Sequence, residues 1–369
     1  MPEARIVSSI GEIAPALWNA CVPHTAEDHA CLVAIERAAL PGFTLSYIVV
    51  EEGGRVLAVA PAFVTAYPLD TMMEGAGARI VGRLRQSLPR LLAPSLACLG
   101  SPCTETAGIR FAPHLGAAER REIAPLFLAA LGDIGAANRC ALLGLKDLAP
   151  EEASALSTAL AGEHYLPTSG QPVAWLAIEF GTVDEYLGQL SRATRRSLRR
   201  KLKSSGTVRV ERRTSIDDVA ARVFALYGAT LDRAANRFEE LTPAYFTGLL
   251  ETMAGRAHCT LYYVGDALLA ANVLIEDGDT LLDKYWCMAD AGRAHDLYYL
   301  SWIANIGYCL DRGLSRYQAG QASPDLKRSL GCRFDATTTY VRHRNPLCHG
   351  ALRMALPWLA GGEPVARAA

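Results

Sequence analysis

A lone lysine near the C-terminus, Lys327, stands in the segment Gly320-Gln321-Ala322-Ser323-Pro324-Asp325-Leu326-Lys327. Glycines at 320 and 331 flank it, which reads as a loop after a strand end and not as the interior of an element. A cation so placed can steady negative charge developing on a substrate, as an oxyanion or a phosphate. Gln318 on the strand, with Gln321 and Ser323 in the loop, adds hydrogen-bonding groups beside it. The plainer reading is a solvated loop side chain.

Two further groups of residues carry chemical potential. Along 280–288, strand alternation puts Asp283, Tyr285 and Cys287 on one side and Leu282, Lys284 and Trp286 on the other. Tyr285 is the candidate phenol, able to donate to a carbonyl or relay a proton. Tyr298 and Tyr299 are candidates for substrate contact, although most rings in this half read as core. The densest charge lies in 191–203, where Arg192, Arg195, Arg196 and Arg199 recur at three- and four-residue spacing on one helix face, joined by Arg200. Leu187, Leu190, Leu198 and Leu202 define another, apolar face. Such an arginine face can dock phosphate, whether of a cofactor, a nucleotide-linked substrate or a tRNA backbone. The plainer reading is a solvated face balanced by acids elsewhere, but like charges packed this closely repel each other, which favours a phosphate partner.

Several chemistries lack their signatures. The eight histidines show no metal spacing, and the ten cysteines include no Cys-x-x-Cys pair, with Cys98 and Cys103 five apart. Neither a Gly-x-Ser-x-Gly elbow nor a Gly-x-x-x-x-Gly-Lys loop occurs, which argues against a serine hydrolase and a nucleotide triphosphatase. The formal charge of -1 provides no global attraction to nucleic acid or anionic membrane, so any attraction must be local. The segment Met1 to Pro15 lacks the order of a signal peptide, and no apolar run reaches the roughly 20 residues that span a bilayer. Reduced thiols in a cytoplasmic protein are expected.

The 369 residues suit about two domains. In the first half the pattern predicts helical segments within 12–40, a hairpin of strands 45–50 and 55–65 with a Glu-Glu-Gly-Gly turn, and a Gly/Pro-rich loop over 66–110. A helix over 125–138, a strand over 140–145, a helix over 151–162 and a strand over 172–180 follow. The second half repeats the order: one long helix over 183–204, a strand over 208–212, helices over 215–235 and 242–254, and a hairpin of 259–264 with 268–276. A strand over 280–288, a helix over 296–312, and strands over 314–319 and 336–343 complete it. Two halves of similar order imply a duplicated α/β unit around a mainly antiparallel sheet.

Tyr298-Tyr299, the run Asn305–Leu314, Gly320 to Lys327 and Thr337 to His343 together resemble the FemAB-like proteins of peptidoglycan biosynthesis or recognition, within the GNAT acyltransferase superfamily. Tyr186-Leu187, Leu190-Ser191 and Arg195 to Arg200 resemble the family's entry to its second domain, and Gly54 to Pro61 its first-half returning strand. The resemblance implies an α/β (α+β) fold of two tandem GNAT-like domains. Residues 1–172 would form the first, with a degenerate, scaffolding role left open, and 173–369 the second, catalytic one. It implies transfer of an acyl or aminoacyl group to an amine without a covalent enzyme intermediate, with Lys327 matching the family's lysine. The co-substrate would be aminoacyl-tRNA or acyl-CoA, with no tightly bound cofactor and no metal. The acceptor would be an amine of a small molecule or cell-wall precursor, and tRNA is a candidate partner. Two departures stand out. The pyrophosphate loop of GNAT proteins is represented by Ala289 to Asp296 with one glycine, leaving Arg293 as the phosphate contact. Leucine at 326 stands where the family's acidic-His-Lys run has histidine. The rival from another class is a non-catalytic protein that binds RNA or a phosphorylated ligand through its basic helix.

Overall fold

The structure, a computed structural model, describes residues 1–22, 25–67, 93–204, 207–234 and 238–359. Most of the expected Gly/Pro-rich loop, residues 68–92, lies outside the described residues. The first half runs β1 (Glu3–Val7), α1 (Pro15–Asn19), α2 (His29–Arg37), β2 (Thr44–Glu52), β3 (Arg55–Ala66), β4 (Ser95–Leu99) and β5 (Arg110–Phe111). It continues with α3 (Ala117–Ala137), β6 (Leu142–Leu148), α4 (Pro150–Gly162) and β7 (Leu166–Ser169). The second half opens with β8 (Val173–Ala177), α5 (Val183–Gln189), α6 (Arg192–Ser204), β9 (Val208–Arg213), α7 (Ala220–Leu231) and α8 (Pro243–Thr252). There follow β10 (Ala257–Val264), β11 (Ala267–Asp277), β12 (Thr280–Met288), α9 (Leu297–Arg312) and β13 (Arg316–Gly320). The chain closes with α10 (Pro324–Ser329), β14 (Arg333–Asp335), β15 (Thr338–His343) and α11 (Pro346–Leu359).

Two sheets result. The first has the order β1-β2-β3-β4-β6-β15-β7, with β5 beside β3, and the second has the order β9-β10-β11-β12-β13-β8-β14. Each contains one parallel pair, β4 with β6 and β12 with β13, among antiparallel neighbours. The duplicated unit is therefore visible in the strand order. The hairpin of β2 and β3 turns on Gly53 (φ +56°) and Gly54 (φ +78°), the left-handed pair that a tight two-residue turn demands. One apolar core joins the halves: Cys31, Val49 and Phe127 of the first pack in the same cluster as Tyr245, Leu261 and Val273 of the second.

Three departures from sequence expectation matter. The long helix over 183–204 is two helices. Leu190 is extended (ψ 155°), and Ser191 Oγ accepts from the Thr194 N–H at 3.2 Å, which starts α6 afresh. Next, the strand expected at 336–343 belongs to the first sheet: β15 pairs with β6 and with β7, and α11 lays Leu352 and Leu356 on Phe63 and Leu96. A division at 172/173 by sequence order thus leaves out an inner strand of the first sheet, because pairing to both β6 and β7 removes two open edges. Finally, Lys327 sits in a short helix, α10, and is 4% exposed, not in a solvated loop.

Candidate active site between splayed strands

The parallel pair β12 and β13 is in register only from Thr280↔Arg316 to Leu282↔Gln318. Beyond that point β12 continues with β11, and β13 continues with β8, so the two strands part. The register of β11 with β12 also shifts, from Val273↔Tyr285 to Leu274↔Asp283, leaving Lys284 as the extra residue of a bulge. The bulge overturns the simple alternation read from the sequence. Asp283 faces α9, whereas Tyr285 faces α7 and α8 on the other side of the sheet. There its ring meets Tyr227, Tyr245 and Phe246, and its hydroxyl lies 3.4 Å from Glu239 Oε1.

On the α9 side, Asp283 Oδ2 accepts from Tyr317 Oη at 2.6 Å and from Asn305 Nδ2 at 3.3 Å. Lys327 reaches the same place from α10. Gly320 (φ +71°) and Ser323 (φ +56°) turn the chain sharply after β13, and Pro324 begins the helix with its preset φ. Tyr186 Oη donates to Leu330 O at 2.9 Å and accepts from Trp302 Nε1 at 2.9 Å, which ties the far end of α10 to the core. Burial pushes the Lys327 ammonium below the usual lysine range, opposed first by the charge of Asp283 and then by Glu105. Among the described residues its Nζ makes no hydrogen bond or ion pair.

A loop of the first half, 100–107, closes over the opening. Gln318 Nε2 donates to Glu105 Oε2, and Gln321 Nε2 donates to Glu105 O at 3.2 Å and to Gln171 O at 3.0 Å. The N–H of Glu105 donates to Glu27 Oε1 at 3.4 Å, and Lys284 Nζ lies 3.6 Å from that same oxygen. Burial raises the Glu105 carboxyl above the ordinary range, with Lys284 the chief opposing charge. A methyl group placed on Gly320 would lie 3.2 Å from Glu105 Oε1 and 3.9 Å from Lys327 Nζ. Beside this point a cleft of about 720 Å³ opens between the halves, lined by Thr106, Arg110, Arg120, Glu152, Arg316 and Gln318 among others.

Of the residues expected to act, the structure brings Lys327, Gln318 and Gln321 together. Ser323 is exposed at the turn into α10. Tyr285 is not brought to Lys327. The arginines form a separate surface on α6: Arg195 Nη1 donates to Gly188 O at 3.1 Å and Arg199 lies 3.3 Å from Asp184. Arg192, Arg196 and Arg200 are exposed, and none has an ion-pair partner among the described residues. A cavity of about 240 Å³ runs beneath this helix between Thr194, Ser197, Leu198, Tyr299, Leu326 and Ser329. Tyr298 packs on Trp286 and Trp302. Arg293 is exposed and 3.6 Å from Asp290. At the start of α9, Asp296 is paired with Lys201 at 2.8 Å, and the Lys201 ammonium stands 4.0 Å from the Tyr299 ring centroid. Asp296 thus places a carboxylate at the residue before α9, although its side chain makes no cap hydrogen bond to the helix and reaches Lys201 instead. Among the described residues no group of three or more His, Cys, Asp or Glu is arranged to hold a metal ion.

Sequence reasoning missed Glu105 altogether. It stands in Cys103-Thr104-Glu105-Thr106, a stretch without periodicity, and its partners Gln318 and Gln321 are more than 200 residues away.

The model of a FemAB-like family, described as peptidoglycan biosynthesis/recognition, matches residues 9–356. No curated protein sequence matches the chain. Among solved structures the chain is similar to FemX, with TM-score 0.59 and 12% identity, over 95% of this chain and 99% of that one. It is similar to the C-terminal domain of a putative lysylphosphatidylglycerol synthetase from Agrobacterium fabrum, with TM-score 0.56 and 11% identity, over 96% and 98% of the two chains. A tandem GNAT protein from the clavulanic acid biosynthesis pathway aligns with TM-score 0.54 and 15% identity, over 94% and 99%. At these identities the likeness is one of fold: two GNAT-like units in tandem, each a mixed and mainly antiparallel sheet flanked by helices.

Proposed function

The chain belongs to the FemAB-like family of peptidoglycan biosynthesis/recognition proteins, and from that premise we propose that it is a transferase that moves an acyl or aminoacyl group from an activated ester or thioester to an amine. The observation that carries this reading is Lys327, a 4%-exposed ammonium whose donors have no partner among the described residues, at the parting of two parallel strands. A buried ammonium there is suited to a charge that exists only in the transition state. When the amine attacks the donor carbonyl, the oxygen becomes an oxyanion, and Lys327 donates to it. Asp283 is the first charge that opposes the effect of burial on the lysine and so favours its charged form. No nucleophilic side chain is required, because the amine attacks the donor directly.

For the donor, two features favour an aminoacyl-tRNA over acyl-CoA. Arg192, Arg196 and Arg200 present a cationic row with no ion-pair partner among the described residues, and a carboxylate, Asp296, stands at the residue before α9, which disfavours a coenzyme pyrophosphate there. The acceptor is an amine of a small molecule or cell-wall precursor, and action in the cytoplasm is part of the proposal. No described helix is long and apolar enough to cross a membrane. The same arginine row supports a second reading, a non-catalytic protein that holds RNA or a phosphorylated ligand.

Incubating the protein with charged tRNA or with acyl-CoA and a panel of amines, followed by mass spectrometry, separates the readings. Transfer predicts an amine heavier by one acyl or aminoacyl group, from one donor class, and absent with Lys327→Met. Phosphate-ligand binding with no product from either donor would establish the second reading instead.

A further inference from the structure

We propose that the first half of the chain supplies a catalytic residue to the site in the second: Glu105 is the base that takes the proton from the attacking amine. The proposal rests on the transfer reading above, and it concerns a residue on the loop that follows β4, in the opposite sheet from Lys327.

The carboxylate is divided between two tasks. Its Oε2 accepts from Gln318 Nε2, which sets the direction of the group. Its Oε1 faces Gly320, and the position where a methyl on that glycine would lie is 3.2 Å from Oε1 and 3.9 Å from Lys327 Nζ. An oxygen and an ammonium therefore border one small space, kept open because residue 320 has no side chain. A tetrahedral centre needs this pairing: a cation for the developing oxyanion and, on the amine side, an acceptor for the proton.

The loop does not depend on that carboxylate for its position. The backbone of Glu105 is held at both ends, its N–H by Glu27 Oε1 at 3.4 Å and its carbonyl by Gln321 Nε2 at 3.2 Å. The preceding carbonyl, Thr104 O, accepts from Lys146 Nζ at 2.5 Å. Among the described residues no lysine or arginine makes an ion pair with Glu105; Lys284, which faces it, lies 3.6 Å from Glu27. A partly exposed carboxylate with no ion-pair partner and firm backbone tethers is poorly explained as a structural staple. The charges around it are Lys284, Glu27 and Lys327, and burial raises its pKa, which brings it closer to an amine's proton affinity. The other carboxylates are otherwise occupied: Asp283 accepts from Tyr317 and Asn305, and Glu239 lies with Tyr285 on the far face of β12. The 720 Å³ cleft supplies the route in, since Thr106 and Gln318, the neighbours of Glu105 in sequence and in hydrogen bonding, line it.

The step balances without an oxidant, a reductant or a metal. The amine, free or after releasing one proton to solvent, forms the C–N bond while its remaining surplus proton passes to Glu105. The C–O or C–S bond to the donor then breaks, and the same proton goes to the departing oxygen or sulfur. Glu105 returns to its carboxylate form.

Glu105→Gln is isosteric and can still accept from Gln318, so it isolates the base. Two measurements decide the matter, calorimetric unfolding of the variant and its turnover against pH with the donor and amine found in the product screen. The expected result is a melting temperature equal to or above wild type, because a partly desolvated charge with no ion-pair partner among the described residues has been removed and the Gln318 hydrogen bond kept. Turnover should fall about 100-fold or more at neutral pH, and the deficit should narrow as pH rises and the amine deprotonates unaided. Glu105→Asp should restore part of the loss. A clear fall in melting temperature would make Glu105 structural, and turnover within about threefold of wild type at every pH would assign the proton to solvent; either overturns the proposal. An active wild type, an inactive Lys327→Met and an active Glu105→Gln remove Glu105 alone. A wild type that forms no amide from either donor removes the transfer reading, and this assignment with it.

Discussion

The two parallel strand pairs, β4 with β6 and β12 with β13, are built alike and finished differently. Both open after a short stretch of register, the first beyond Leu99↔Leu145 and the second beyond Leu282↔Gln318. Both openings hold a lysine and an aspartate. In the first, Lys146 donates to Thr104 O at 2.5 Å and lies 3.4 Å from Asp147. Asp147 Oδ1 accepts from the Gln171 N–H at 3.2 Å and from Thr337 and Thr339 at 3.3 Å each, while its backbone carbonyl accepts from Ala107 at 3.2 Å. Every group is satisfied, and the loop 100–107 folds back over the opening. In the second, Lys327 has no hydrogen-bond partner among the described residues, and the closing loop is borrowed from the first half. Saturation of hydrogen bonds marks a structural lysine, and its absence at a buried lysine marks one kept for a ligand.

The sharpest way to break this comparison is to remove the two lysines in turn. Lys327→Met should lower turnover about 100- to 1000-fold, the loss typical of a missing oxyanion donor, while unfolding in denaturant stays near wild type. Lys146→Met should act mainly on stability, lowering it by about 1–3 kcal/mol as Thr104 O loses its donor and Asp147 its cation, with a loss of turnover well short of that of Lys327→Met. Equal effects of the two substitutions on turnover would erase the distinction.

The two glycines at the openings provide the next test. Gly320→Ala forces a side chain into φ +71° and against Glu105 Oε1 at 3.2 Å, so it should cost about 1 kcal/mol or more and lower turnover about tenfold. Gly100→Ala, at φ +129° with Lys146 Cβ at 3.4 Å, should cost stability and leave turnover in place. Denaturant midpoints and steady-state rates on both variants check this.

A smaller effect should appear in pH dependence. Burial lowers the Lys327 pKa, and Asp283 is the first charge to raise it again. Turnover that needs the ammonium is present at low pH and lost as pH rises through the pKa of Lys327. Asp283→Asn removes the raising charge, so the alkaline limb of kcat should move to lower pH. A limb that does not move would detach Asp283 from the lysine. The smallest change belongs to the surface of α6. Replacing Arg192, Arg196 and Arg200 by alanine should weaken binding of a tRNA donor by a few-fold per residue and flatten its salt dependence, with kcat at saturating donor unchanged. Filter binding at two or more salt concentrations measures both.

Much of the frame was legible because it is local. The turn at Gly53 and Gly54, the periodicity of α9 and the arginine spacing of α6 each depend on residues within a few positions of one another. The repeat of element order therefore appeared in the sequence as it appears in the two sheets. The break between α5 and α6 was also local in cause, a Ser191 cap, but the surrounding helical pattern masked it. Lys327 drew notice through its flanking glycines, yet the solvated loop they suggested is a buried helix.

What only the folded chain decides is which of these groups meet, and whether their hydrogen bonds are already used. The bulge at Lys284 turns Tyr285 away from Lys327, and it exists because β11 and β12 slip register, which no pattern within β12 records. The return of β15 to the first sheet and the arrival of Glu105 at Gln318 join residues about 190 and 213 positions apart. Local spacing sets conformation through neighbouring backbone and side chains, and so the elements could be read in order. Burial and hydrogen-bond satisfaction depend on distant partners, and so the site could not.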